Sequence, residues 1–240
     1  MLQTADSHHQ ALSRYGHLAE THTVENQPPA LRDYNTYIQD TALVEGVARE
    51  GGAWADMQLR ALGALTGSAE VIELGFQANE NKPVLFTHDN YGHRIDEVRF
   101  HPAYHRLMQM SLEHGLHSAH WTQPGPGAHV ARAAAFYLQS QVDAAHGCPV
   151  TMTSAVVPAL QQQPELAAQY LPKIMARQYD PRNVPLERKS AITVGMAMTE
   201  KQGGSDVRAN TLRAHPLGAG GPGQTYELVG HKYFVSAPMC

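Results

Sequence analysis

The apolar residues of this chain change their period once, at a proline-bracketed stretch. Before it, Tyr104, Leu107, Met108, Leu112 and Leu116 recur at helical spacing, as do Val130, Ala134, Tyr137, Leu138 and Val142. That spacing lays one apolar stripe along each of two helices. Beyond Asp180-Pro181-Arg182-Asn183-Val184-Pro185 the step becomes two. Ile192, Val194, Met196 and Met198 then share one face of an extended chain, and Ala191, Thr193, Gly195 and Ala197 share the other. Helices first and antiparallel strands afterwards make an α+β fold. The reading is a polar extension over residues 1–22, an all-α helical domain over 23–180, and the start of an incomplete antiparallel β-domain over 190–240.

Local signals place the elements. Asp40 is an N-cap candidate for a helix at Thr41–Arg49. Further helices are expected over 54–62, 68–79, 102–117, 128–145, 156–161 and 164–175. Pro102 suits a first helical turn, where no N–H is required. Residues 80–100 read as a long connection turning at Asp89-Asn90-Tyr91-Gly92-His93-Arg94. Strands are expected over 191–198, 210–215, 225–229 and 233–236, with a glycine-rich loop over 216–223.

The first strand runs into Thr199-Glu200-Lys201-Gln202-Gly203-Gly204-Ser205-Asp206. Backbone N–H groups and two hydroxyls in such a loop can wrap an anionic group. A turn of this composition can equally do no more than reverse the chain.

The order of residues from Ala197 to Ala209, with Met196-Ala197-Met198-Thr199-Glu200 leading into Gly203-Gly204-Ser205-Asp206, resembles the first signature of the acyl-CoA dehydrogenase family. The wording MAMTEKQGGSDV resembles its AidB branch, the alkylation-response flavoproteins. HTVENQPP, EVRFHPAYHRLM, CPVTMTSAVVPAL and LVGHKYFVSAP agree in content and order, so the resemblance covers residues 21–240.

The resemblance implies a helical domain, a middle β-domain and a C-terminal helical bundle. It implies FAD held by Met196, Ala197, Met198, Thr199, Glu200, Lys201, Gln202, Gly203, Gly204 and Ser205. Thr199 would bond the flavin ring, and Ser205 the pyrophosphate region. Phe234, Val235 and Ser236 would lie against the isoalloxazine, with Thr153 as a further contact. Tyr233 stands where the family usually has tryptophan. Plain core packing is the competing role for Phe234 and Val235. The implied substrate is an acyl-CoA, oxidised across its α,β-carbons. The family's base is a glutamate in the C-terminal bundle, so no catalytic residue is assigned here, and Glu200 and Asp206 are read as shaping the loop. The expectation is an N-terminal portion, inactive by itself. The alternative is a non-enzymatic fragment that pairs with a full-length relative. DNA contact would run through a C-terminal region beyond Cys240, and the full-length family implies a homo-tetramer.

Composition excludes other classes. With 42% hydrophobic and 17% charged residues the chain is globular. A net charge of −4 creates no basic field for nucleic acid. No apolar run reaches membrane-span length, and no signal pattern opens the chain, so a cytoplasmic location is expected. Cys148 and Cys240 lack disulfide or metal spacing. His101, His105, His114, His117 and His120 invite a metal reading, but with no completing carboxylate they are read as satisfied surface histidines. No Gly-x-Ser-x-Gly elbow or P-loop is present.

Overall fold

The computed structural model describes residues 24–237; the extension over 1–22 and Cys240 lie outside them. The chain divides into a unit over residues 1–31 and a unit over 32–240. Of the first, residues 24–31 are exposed and without regular structure.

The second unit begins with helices. α1 (Thr41–Arg49) is capped by Asp40, whose carboxylate accepts from Leu43 N–H at 2.9 Å. A 3₁₀ turn at Ala53–Ala55 leads into α2 (Asp56–Thr66). Ser68 caps α3 (Ala69–Glu80) through its hydroxyl. α4 (Pro102–Glu113) starts on His101, whose ring Nδ1 accepts from Ala103 N–H at 3.2 Å. The short α5 (Ala119–Thr122) precedes α6 (Ala128–Ser140), α7 (Gly147–Leu160) and α8 (Pro164–Ile174).

The main core joins α1, α2, α4, α6 and α7 through Val47, Leu59, Leu62, Met108, Leu112, Leu138 and Val150, all buried. α3 packs on α4 through Val71, Leu107 and Met110. Where α3 meets the end of α6, a Cβ on Gly75 would stand 2.2 Å from the Val142 carbonyl, so only glycine allows that approach. A third cluster, Val157, Leu171 and Ile174, joins α7 to α8 and takes Ile192 and Val194 onto its surface.

Several expectations are corrected. Residues 80–100 are a hairpin, not a plain connection: β1 (Val84–His88) pairs antiparallel with β2 (Arg94–Arg99). The turn was legible, but both strands are largely exposed, so no buried face marked them. α7 begins at Gly147, nine residues before the helix expected over 156–161. Pro158 lies inside it and cannot donate to the Ser154 carbonyl. The Trp121 indole N–H donates to that carbonyl instead, at 2.9 Å. α4 and α6 are shorter than expected, because Gly115 (φ +70°) turns the chain after α4 and Asp143 caps the turn after α6.

Residues 191–198 and 233–236 are not strands. The first run lies against helices, which offer no ladder. Its N–H groups go to single acceptors: Ile192 to the Lys173 carbonyl, Val194 to Thr153 Oγ1 at 3.0 Å, and Met196 to Met152 Sδ at 3.2 Å. In the second run Phe234 has φ +60°, and just past it Ala237 has φ +45°, which breaks extension. The other two strands form as a ribbon, β3 (Arg213–Pro216) antiparallel to β4 (Tyr226–Val229). The α+β class stands, with two small antiparallel sheets beside eight α-helices among the described residues. None of those helices is long and apolar enough to cross a membrane.

Asp180 closes the linker between the two patterns. Its buried carboxylate takes Arg182 Nη2 at 2.7 Å and Ser190 N–H at 2.9 Å. The Arg182 guanidinium and these amides hold its carboxyl well below the usual range.

Candidate functional site: the 196–206 loop and its aromatic neighbour

The loop is a tight hairpin. Glu200 and Gly203 exchange backbone hydrogen bonds at 3.1 and 3.0 Å, with Lys201 and Gln202 at the tip. Gly203 is buried, and a Cβ there would stand 2.5 Å from Asn210 Oδ1 and 2.9 Å from the Asp206 carbonyl. Gly204 faces open space, as does Gly195, with nothing within 4 Å of an added Cβ. The two adjacent glycines therefore differ: the first is required by the loop's own packing, the second leaves backbone accessible from outside.

Glu200 is the loop's anchor. Its side chain is fully buried and accepts from Thr211 N–H at 2.7 Å, Leu212 N–H at 2.9 Å and the Gln202 amide at 2.6 Å. Lys232 Nζ lies 3.5 Å away. The Thr211 amide, then the Leu212 amide and the Gln202 and Thr211 side chains, hold the carboxyl down at about 2 although burial pushes the other way. At neutral pH it is an anion with its lone pairs committed, unsuited to carrying a proton for catalysis. Asp206 caps the 3₁₀ turn at Val207–Ala209 by accepting from Arg208 N–H. Both carboxylates shape the loop.

The loop is tied to residues 231–233. Tyr233 N–H donates to the Thr199 carbonyl at 3.0 Å, and the Thr199 hydroxyl donates to the Tyr233 carbonyl. Lys201 N–H donates to His231 Nε2 at 3.1 Å. Asn210 Nδ2 and Lys232 Nζ both donate to the Met198 carbonyl, at 2.8 and 3.0 Å. Sequence reasoning did not single out Asn210, Thr211, His231 or Lys232. Their only sequence signal is polarity beside short strands, which most surface residues share.

The residues matched to the flavin signature fall into two groups. Glu200, Gln202 and Gly203 make intraloop contacts, and the Thr199 hydroxyl proton is given to Tyr233. Met196, Ala197, Met198, Lys201, Gly204, Ser205, Phe234, Val235 and Ser236 are exposed. Phe234 is 82% exposed and meets the Tyr233 ring edge-on at 4.5 Å between centroids. Among the described residues it joins no core cluster. Thr153 is fully buried, and its hydroxyl accepts from Val194 N–H, so it positions the approach to the loop. A 490 Å³ hollow lined by Val156, Tyr170, Ile174 and residues 192–195 ends at Gly195 and does not include the loop.

The histidines also depart from expectation. His117 and His120 are 1% and 5% exposed, not surface residues. His117 Nε2 donates to the Ala176 carbonyl at 3.2 Å, and His120 Nε2 meets Ser154 Oγ at 3.2 Å. Burial pushes each imidazole down to about 4. Asp143, His146 and Ser111 form a hydrogen-bonded chain, 2.8 Å from carboxylate to Nδ1 and 3.0 Å from Nε2 to hydroxyl. His146 and Ser111 are buried in the core, where the chain ties α4 to the start of α7. No three potential metal ligands gather among the described residues.

Comparison with known proteins agrees with the fold and the motifs. Residues 26–181 match the model of the adaptive response protein AidB N-terminal domain. AidB of Escherichia coli (strain K12), a curated relative with an acyl-CoA dehydrogenase name, is 46% identical over 222 residues, covering 92% of this chain and 40% of the relative. Acyl-CoA dehydrogenase family member 11 of Caenorhabditis elegans is 30% identical over 177 residues, covering 71% and 27%. The chain therefore spans well under half the length of these relatives. Among solved structures, the apo form of Bd2924 aligns with a TM-score of 0.70 at 28% identity, covering 89% of this chain and 42% of that one. Caenorhabditis elegans ACDH-11, solved in complex with C11-CoA, aligns at 0.66 and 24% identity, covering 90% and 37%, a likeness of fold alone. With well over half of it matched by that family model, the chain belongs to the AidB N-terminal domain family, related to the acyl-CoA dehydrogenases.

Proposed function

We propose that this chain carries one wall of the FAD site of an AidB-type acyl-CoA dehydrogenase-like flavoprotein. The observation that carries the reading is the two-way Thr199–Tyr233 tie, which joins the glycine hairpin to an exposed aromatic run. Met198, Phe234 and Val235 offer apolar surface to a flat ring, and exposed aromatic surface of this kind favours an occupant. Gly204 leaves room for backbone approach, and Ser205 supplies a hydroxyl. The residues present fit the group. A bound flavin would supply the hydride acceptance for oxidising an acyl thioester. This chain's residues would orient it and shield one part of it from water.

In this reading residues 23–180 are the helical domain, 190–240 belong to the middle β-domain, and the location is cytoplasmic. Acyl-CoA turnover, the tetramer and the alkylation-response role, with its DNA contact, are assigned to the longer protein. The 240 residues by themselves are expected to bind FAD weakly and to turn over no acyl-CoA. The test is FAD fluorescence quenching on titration with the chain, followed by turnover with a short branched acyl-CoA and an electron acceptor. Quenching unaffected by Phe234→Ala would remove the assigned wall, and measurable turnover would refute the silence.

A second reading is a non-enzymatic fragment that pairs with a full-length relative. It draws on the β3–β4 ribbon, where Leu228 and Val229 are 68% and 52% exposed. Size-exclusion chromatography with and without such a relative separates the two readings.

A further inference from the structure

The body of helices holds a second hollow, remote in composition from the flavin loop. It has a volume of about 280 Å³ and lies among α2, the turn between α4 and α5, and α6. Leu59, Leu62, Leu116 and Ala131 supply apolar wall. Two arginines, Arg132 and Arg177, line it as well. None of residues 196–205 or 233–236 borders it.

The arginines lack counter-charge. Arg132 Nε donates to the Leu116 carbonyl at 2.8 Å, and its guanidinium lies 4.8 Å from the Phe136 ring centroid. Its Nη2 is buried with no hydrogen-bond partner. Arg177 lies beside Gly115, where a Cβ would stand 3.0 Å from its Nε. Neither arginine forms an ion pair among the described residues. The single acid lining the hollow, Glu113, is exposed and accepts from Gln109 at 2.6 Å. A guanidinium with a buried, unpaired N–H is costly unless an anion completes it.

We propose that this hollow binds a small carboxylate with an aliphatic tail, the carboxylate between Arg132 and Arg177 and the tail against the leucines. A guanidinium fork matches a carboxylate in shape and charge. The hollow is smaller than the usual range for drug-sized ligands, which limits the occupant to a short chain. A short branched acyl-CoA of a monocarboxylic acid has its one carboxyl tied up in the thioester, so the occupant is a different molecule from the substrate proposed above.

The test is calorimetric titration of the 240-residue chain with hexanoate, hexanol and hexylammonium in parallel. Hexanoate is expected to bind saturably and raise the melting temperature, and the other two are not. Arg177→Gln, at an exposed position, is expected to keep the melting temperature of the ligand-free chain. It should weaken hexanoate about tenfold, the loss of one charge-assisted contact. Arg132→Lys keeps charge but loses the fork and is expected to weaken binding while retaining the fold. Ala61→Leu, on the exposed rim of α2, is expected to obstruct entry. No saturable hexanoate binding, equal binding of hexanol, or hexanoate affinity unchanged in both arginine variants would each overturn the proposal. FAD binding is read separately, so failure here leaves the loop assignment standing.

Discussion

The Thr199 hydroxyl donates to the carbonyl of Tyr233, 34 residues away, and the Tyr233 amide returns a bond to Thr199. This pair sets where the glycine hairpin stands relative to Phe234 and Val235. Thr199→Val keeps the side-chain shape and removes the donor. It is expected to loosen the hairpin from the aromatic run and weaken FAD binding without moving the global melting temperature. Flavin fluorescence and a thermal melt check the two halves.

Gly203 and Gly204 are adjacent but not equivalent. Gly203→Ala drives a methyl into Asn210 and Asp206 and should cost about 1–3 kcal/mol, the usual range for overpacking. Gly204→Ala meets open space and should fall within about 0.5 kcal/mol of the parent. If backbone approaches a coenzyme at this point, Gly204→Ala weakens FAD binding while leaving stability alone. Urea unfolding and FAD titration distinguish these outcomes.

Thr153 positions rather than contacts. Thr153→Ala leaves Val194 N–H without its acceptor and should cost about 1–3 kcal/mol. The Val194 and Met196 amides should then exchange faster with solvent than those of α7. Hydrogen exchange reports the difference directly.

His117 and His120 make the fold acid-sensitive. Burial lowers both to about 4, so the unfolded chain, with imidazoles near 6.5, binds more protons between those values. Their contribution to stability is complete above pH 6.5 and is lost as pH falls through 4. Linkage puts the loss at pH 5 at roughly 2 kcal/mol for His117, with a smaller loss from His120 in the same direction. Urea midpoints at pH 7 and pH 5 measure it, and His117→Gln should shrink the difference.

Glu200 acts in a lower window. Its carboxyl is depressed to about 2, so its contribution is present above its ordinary range near 4.5 and disappears as pH falls toward 2. The Thr211 and Leu212 amides should lose protection in that window, and in Glu200→Gln at every pH. Hydrogen exchange on the β3 side of the loop follows both.

What the chain wrote locally was legible. Asp40 and Ser68 cap their helices because a short oxygen reaches an amide three residues on. Leu107, Met108, Leu112, Ala134 and Leu138 of the helical stripes reached the core because period 3.6 leaves one face to bury, while Tyr137, at the edge of its stripe, stayed 49% exposed. The hairpin at Glu200–Gly203 followed from glycine and polar turn residues.

What depended on a distant partner was not legible. Residues 191–198 alternate as a strand would, yet meet helices, so their amides end on Thr153, Met152 and the Lys173 carbonyl. Pro158 in α7 is tolerated because Trp121, far away in sequence, takes the freed carbonyl. The burial of His117 and the unpaired Arg132 likewise arise only when α5, α6 and the segment after α8 converge. Caps, turns and periodicity act within a few residues and are therefore carried by sequence alone. Desolvation and long-range acceptors exist only once the chain has closed on itself, and tertiary structure decides them.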